Sequence, residues 1–197
     1  MQMNSMSVAG HVLVGIADII GMREMDRLML FQEVRVFTEA DARVDCASAS
    51  GLQRRLEAVF TPAAGRGILF RAGEATAVGL IRQHAEDLGF SSSEFRLQPW
   101  RKRLMFGLER LVERCNDWFE STITVDAQET FILWKVANCA WCCQRQEDGA
   151  LCHFWSGFIT GALGFASGGR FFQVTETSCA ANGAPGCVFE IFRRPLE

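Results

Sequence analysis

The stretch CHFWSGFITGALGFASGGRFFQVTETSCAANGAPGCVFEIF, residues 152–192, holds a helix, two strands and a loop that returns on itself. From His153 to Ala166 the residues Phe154, Phe158, Ala162 and Phe165 fall on one side of a helix. Gly157, Gly161 and Gly164 form a smooth track for close packing. Each glycine weakens an isolated helix by about 1 kcal/mol, so a neighbouring element must hold this one. Phe171 to Thr175 and Val188 to Phe192 read as strands flanking a loop from Cys179 to Cys187. Asn182, Gly183, Pro185 and Gly186 let that loop fold tightly and bring its ends together.

Upstream, the β-branched runs Ser121 to Val125 and Thr130 to Val136 read as further strands, forming a hairpin across Asp126 to Glu129. Gln144 to Gly149 is a polar turn. Helical patterns come before these strands. Leu104, Leu108, Leu111, Cys115 and Trp118 make the apolar stripe of one helix, with Cys115 on its core face. Ile68, Leu69, Ala72, Ala75, Val78 and Leu80 mark a longer one that reaches about Leu88 and ends at Gly89, ahead of the polar break Ser91-Ser92-Ser93. Gln53 to Phe60 is a helix stopped at Thr61-Pro62, because a residue before proline is pushed out of helical geometry.

Nearer the N-terminus, residues 1–9 show no periodicity. Val12, Ile16, Ile19 and Ile20 predict a helix ended by Gly21, and a second short helix spans about Glu24 to Gln32. Glu33 to Ser50 mixes charged and small residues, with Val34 and Val36 alternating briefly and Ser48-Ala49-Ser50-Gly51 as a linker. The predicted division is therefore an N-terminal helical extension, residues 1–50, and a main domain, residues 51–197. Helices first, then strands broken by one helix, predict an α+β fold: an antiparallel sheet with helices packed on it.

A chain of 197 residues with 49% hydrophobic residues has enough apolar material for a substantial core. The formal charge of -3 gives no field that would gather nucleic-acid phosphates, and Arg101-Lys102-Arg103 reads as a solvated helix start. Asp18 and Arg23 interrupt the best candidate membrane span, Val8 to Met22, and no basic segment with a cleavage pattern marks a signal peptide. The expected location is the cytoplasm. Eight cysteines there point to metal ligands or redox thiols rather than to a disulfide framework. Sixteen Phe and five Trp with no Tyr supply apolar surface with few hydroxyl handles, which suits either an ordinary aromatic core or a greasy cavity.

Glu176, Cys179 and Cys187 bracket the returning loop, so two thiolates and a carboxylate can point inward. Zn²⁺ takes such mixed sulfur and oxygen ligands in a tetrahedron, and Cys152, at the start of the glycine-track helix, is the fourth donor. Buried structural cysteines beside a salt-bridged glutamate are the plainer alternative, and His153 could replace Cys152. A second cluster, Cys139, Cys142 and Cys143, contains Cys-x-x-Cys spacing; it fits redox chemistry, a second metal or a buried strand end.

The run Cys152-His153-Phe154-Trp155-Ser156-Gly157 through Gly161, with Val174-Thr175-Glu176-Thr177-Ser178-Cys179, Gly183 and Gly186-Cys187-Val188-Phe189-Glu190-Ile191, resembles the C-terminal signature of the 4-vinyl reductase (4VR) domain family. A looser likeness extends to Gly67–Gly73. That family includes bacteriochlorophyll-synthesis proteins, predicted hydrocarbon-binding proteins and aromatic-sensing domains. The resemblance implies zinc held by Cys152, Glu176, Cys179 and Cys187, usually in a homodimer. It also implies the ligand-binding fold shared by nitric-oxide-signalling and Golgi-transport domains. It departs from the sensors in its Cys139/Cys142/Cys143 cluster and in lacking a DNA-binding or ATPase segment.

Three functions follow. The first is a binding module, a sensor or carrier for a hydrophobic or aromatic molecule, with Phe70, His84, Trp100, Phe106, Trp134 and Phe158 as pocket candidates chosen by residue type and segment. The second is a tetrapyrrole reductase or its accessory protein, although no GxGxxG turn is present to hold a dinucleotide. The third is a cysteine-based redox or metal sensor. No catalytic residue is assigned.

Overall fold

The computed structural model describes residues 6–38, 44–146, 149 and 152–196, with the backbone alone at Val36 and Thr38. Parts of three sequence-based expectations lie outside these residues: the start of the unpatterned N-terminus, the Val36 side chain in the brief alternation, and part of the polar turn before Gly149. Eight α-helices are described: α1 (Val8–Ile20), α2 (Met22–Leu28), α3 (Gln32–Thr38), α4 (Cys46–Phe60), α5 (Pro62–Gln83), α6 (Ser93–Leu97), α7 (Trp100–Trp118) and α8 (His153–Ser167). The strands are β1 (Thr122–Ala127), β2 (Phe131–Ala137), β3 (Phe172–Ser178) and β4 (Cys187–Pro195).

All strand pairs are antiparallel, in the order β1-β2-β4-β3. Register gives the sheet its apolar face. Ile132, Trp134 and Val136 of β2 stand opposite Ile191, Phe189 and Cys187 of β4, and all six are buried. Their side chains share a face because strand side chains alternate. The indole of Trp155, on α8, lies 6.2 Å from that of Trp134. The expected α+β class, antiparallel sheet and β1–β2 hairpin are present; the turn falls at residues 128–130, since Asp126 and Ala127 pair with Leu133 and Ile132.

The glycine-track helix is held by α5. A Cβ placed on Gly157 would fall on the Phe70 carbonyl, and one on Gly73 would fall on the Phe154 carbonyl. A Cβ on Gly161 would lie 2.6 Å from the Glu74 carbonyl oxygen. These glycines let two backbones touch, and that contact offsets their poor helix propensity.

Two local expectations are corrected. Ser48-Ala49-Ser50-Gly51 is not a linker but the buried early part of α4, which Asp45 caps by accepting from the Ser48 amide at 2.8 Å. Its four small residues are all buried, so they face neighbouring elements rather than solvent. α4 runs through residue 50, where the sequence places the end of the N-terminal extension. Val44 also bridges in parallel to Phe119. The second correction is α6, which starts at Ser93 inside the supposed polar break; Ser92 caps it by accepting from the Phe95 amide at 3.1 Å.

Thr61 ends α4 as expected, at φ 86°, and its hydroxyl caps α5. Among the described residues, no helix is long and apolar enough to cross a membrane.

The segment after β2 is tied down twice. Cys46 and Cys143 form a disulfide, although the sequence pointed to metal ligands or redox thiols rather than to a disulfide framework. The Arg145 guanidinium donates to Glu57 Oε2 at 2.7 Å, with the two side chains 4% and 11% exposed. Burial would raise the Glu57 carboxyl, but hydrogen bonds from Arg145 and Gln53 and the charges of Arg145 and Arg66 hold it below its ordinary value of 4.5. Glu57→Ala strands a buried guanidinium and is expected to cost about 3 kcal/mol at neutral pH. A depressed folded-state pKa means this contribution is fully present above the ordinary carboxyl value and disappears as pH falls through the lower folded value. Melting curves of wild type and variant should therefore converge on acidification. A gap that persists in acid would refute this account of the pair.

Candidate metal centre

Cys152 immediately precedes α8, Glu176 lies on β3, Cys179 follows β3, and Cys187 opens β4 opposite Val136. Their donor atoms all lie within 4.8 Å of one another. The Sγ of Cys152 is 3.4 Å from that of Cys187 and 4.0 Å from that of Cys179, and Cys179 and Cys187 are 4.0 Å apart. An ideal tetrahedron with metal–sulfur bonds near 2.3 Å has edges of about 3.8 Å, so this spacing suits a bound cation.

The centre reaches further than the sequence suggested. Cys139 and Cys142, from the segment after β2, form a second group with Cys152 and Cys187 whose donor atoms also lie within 4.8 Å. Cys139 Sγ is 3.4 Å from Cys152 Sγ, and Cys142 Sγ is 3.3 Å from Cys187 Sγ. Cys143 turns away into its disulfide, its sulfur paired with Cys46. Cys115 stays on the core face of α7, where burial pushes its thiol up. His153, the alternative to Cys152, belongs to neither group.

All five clustered sulfurs are buried. Hydrogen bonding from Cys139, then from Cys152, Cys179 and Cys187, stabilises a thiolate at Cys142 and lowers its pKa. Interaction with Cys139 and then Cys142 pushes the Cys152 and Cys187 thiols up, because a second thiolate would face the first without water. Burial likewise raises the Glu176 carboxyl, against hydrogen bonding from the Cys152 amide, which reaches Oε2 at 3.0 Å. The other carboxylate oxygen, Oε1, is buried and has no hydrogen-bond partner. Clustered thiols beside an unpaired carboxylate oxygen form a donor set whose charge a cation would offset.

The six pocket candidates are not brought to one lining. Trp134 and Phe158 lie in a fully buried aromatic body with Phe119, Trp141, Phe154 and Trp155. There Trp141 stacks on Phe154 at 4.1 Å. The indole nitrogens of Trp134, Trp141 and Trp155 are buried and have no hydrogen-bond partner.

Phe106 instead packs with Phe90 and Phe95. The His84 ring lies 5.3 Å from Trp118, with Nδ1 3.6 Å from Asp87. The Phe70 carbonyl meets Gly157. Trp100 packs on Phe172 and borders an open groove of about 560 Å³ with Arg101, Leu104, Met105, Phe192 and Arg194.

No family model matches the chain, and no curated protein matches it. Solved structures do. An H-NOX protein from S. oneidensis in the Fe(II)NO ligation state is similar at 15% identity, with a TM-score of 0.59 over 95% of this chain and 99% of that one. The unliganded Fe(II) H-NOX protein from K. algicida gives 12% identity and a TM-score of 0.59 over 96% of this chain and 95% of that one. IWP-051-bound H-NOX from Shewanella woodyi gives 18% identity and 0.53 over 95% and 93%. At such identities no site residue carries over from those proteins, but the order and packing of the elements do. The chain therefore has the fold of H-NOX proteins, an α+β architecture of the kind that the family resemblance implies.

Proposed function

We propose that the chain is a small-molecule-binding module of the 4VR type, a sensor or carrier, in which a structural zinc ion fastens α8 to the β3–β4 loop. The observation that carries the ligand reading is the aromatic body between sheet and α8, with three buried indole N–H groups that have no acceptor. Leaving a buried donor unpaired costs about 1–3 kcal/mol. A flat aromatic guest bearing a hydroxyl or carbonyl oxygen supplies the missing acceptor and fits the apolar surroundings. It enters by displacing ring side chains rather than by filling a standing cavity.

The zinc assignment is supported by donor chemistry. Thiolates with one carboxylate at tetrahedral spacing favour Zn²⁺, and four protein donors leave no open position for water. In that role the ion cross-links the chain, and Cys152, Glu176, Cys179 and Cys187 hold it. Cytoplasmic residence and a homodimer belong to the same reading. The exposed Val14, Ile19, Met22 and Leu30 on and between the first helices are a surface for a second copy.

Titrating the metal-loaded protein with phenols, benzoates and naphthols while following tryptophan emission and light scattering tests this. At least one compound class should quench emission saturably, and Trp134→Phe, which removes one unpaired donor, should weaken it about tenfold. If no compound changes emission, or if Trp134→Phe binds as tightly as wild type, the aromatic body is an ordinary core. Monomeric scattering would remove the dimer.

A further inference from the structure

We infer that the cluster holds two divalent cations, with Cys152 and Cys187 bridging them, rather than one. This rests on the single-cation reading above and extends it. Two four-donor groups meet the same spacing limit, and they share those two sulfurs. One cation lies among Cys152, Glu176, Cys179 and Cys187; the other lies among Cys139, Cys142, Cys152 and Cys187. The arrangement is two tetrahedra joined along an edge. The shared edge is 3.4 Å, and the outer sulfurs sit 3.3, 3.4 and 4.0 Å from it, around the roughly 3.8 Å that tetrahedral thiolate coordination requires.

A competing role for Cys139 and Cys142 is as S–H donors to the thiolates of a single ion. That role requires each to touch its own acceptor, which both do. It does not require them to approach each other, yet their sulfurs also lie within 4.8 Å, the relation two ligands of one cation need.

The segment bearing them is built to hold that position. The Cys46–Cys143 disulfide and the Arg145–Glu57 pair anchor it on α4, and Asn138 at φ 54° turns the chain out of β2 just before Cys139. On the other side, a Cβ on Gly186 would lie 2.9 Å from the Val136 carbonyl oxygen, so the β3–β4 loop closes directly on the end of β2. An all-sulfur site beside a three-sulfur, one-oxygen site favours soft or borderline ions such as Zn²⁺ or Cd²⁺ in both.

Untagged protein, purified anaerobically and dialysed free of loosely held metal, should contain two zinc ions per chain. The Cys139→Ser/Cys142→Ser double variant should keep one. In wild type loaded with ¹¹³Cd, two resonances should appear, split by coupling through the bridging sulfurs. One ion per wild-type chain overturns the second site while leaving the single-cation reading intact, and none overturns both. A double variant that retains two ions, or two uncoupled cadmium resonances, also refutes the shared-edge arrangement. If the double variant does not fold, wild-type stoichiometry and coupling decide alone.

Discussion

Cys187→Ser is expected to release the proposed metal and lower the unfolding midpoint by roughly 8–16 °C, the equivalent of about 4 kcal/mol for a chain of this size. Three lines of geometry converge on this sulfur. It opens β4 opposite Val136, it lies within 4.0 Å of the sulfurs of Cys142, Cys152 and Cys179, and it belongs to both groups of donors. A hydroxyl in its place is a poor ligand for a soft or borderline cation, and it leaves the remaining buried donors without their counter-charge.

Cys115→Ser is the control. Cys115 is as fully buried but lies outside the cluster, so the swap should cost only the 1–3 kcal/mol or so of an unsatisfied hydroxyl and release no metal. Metal analysis and thermal denaturation of both variants decide the matter. If Cys187→Ser loses no metal and melts with the wild type, any metal is held elsewhere and the cluster is a set of structural thiols.

Gly157→Ala should be nearly as damaging, for an unrelated reason. In an isolated helix the substitution would stabilise by about 1 kcal/mol. Here the added methyl lands on the Phe70 carbonyl, with the Phe70 Cα 3.0 Å away, and neither belongs to a flexible side chain that could swing aside. Forcing α5 and α8 apart also disturbs Phe154, Trp155 and Phe158, which are carried on α8. The cost of overpacking should reach or exceed about 3 kcal/mol and outweigh the gain in propensity. Gly164→Ala, whose added methyl meets nothing within 4 Å, should instead be neutral or mildly stabilising. Equal melting temperatures for the two variants would show that the close approach of α5 and α8 is not what holds the glycine-track helix.

Each expected helix has a counterpart, although α2 stops at Leu28 rather than Gln32 and α5 at Gln83 rather than about Leu88, and the hairpin and the strand–loop–strand of the C-terminus are present. Periodicity reports which side of an element is buried, and glycine, proline and asparagine report where the chain must turn. Both are properties of neighbouring residues. The misreadings have the same origin. Ser48 to Gly51 and Ser91 to Ser93 are small and polar, as linkers are, but small residues also permit close helix packing and serine also caps helices. Only the folded neighbours tell these uses apart.

The sequence by itself determined the order of the strands and of every helix but α3 and α6, the need for a partner along the Gly157–Gly161 track, and the donors near the returning loop. Tertiary structure decided what joins them. It brought Cys139 and Cys142 onto Cys152 and Cys187, drew Cys143 to a cysteine 97 positions away, and scattered the six pocket candidates among separate clusters. Contacts between residues distant in sequence are set by how whole elements pack, and a side chain's type and local spacing carry no record of which distant partner it will meet.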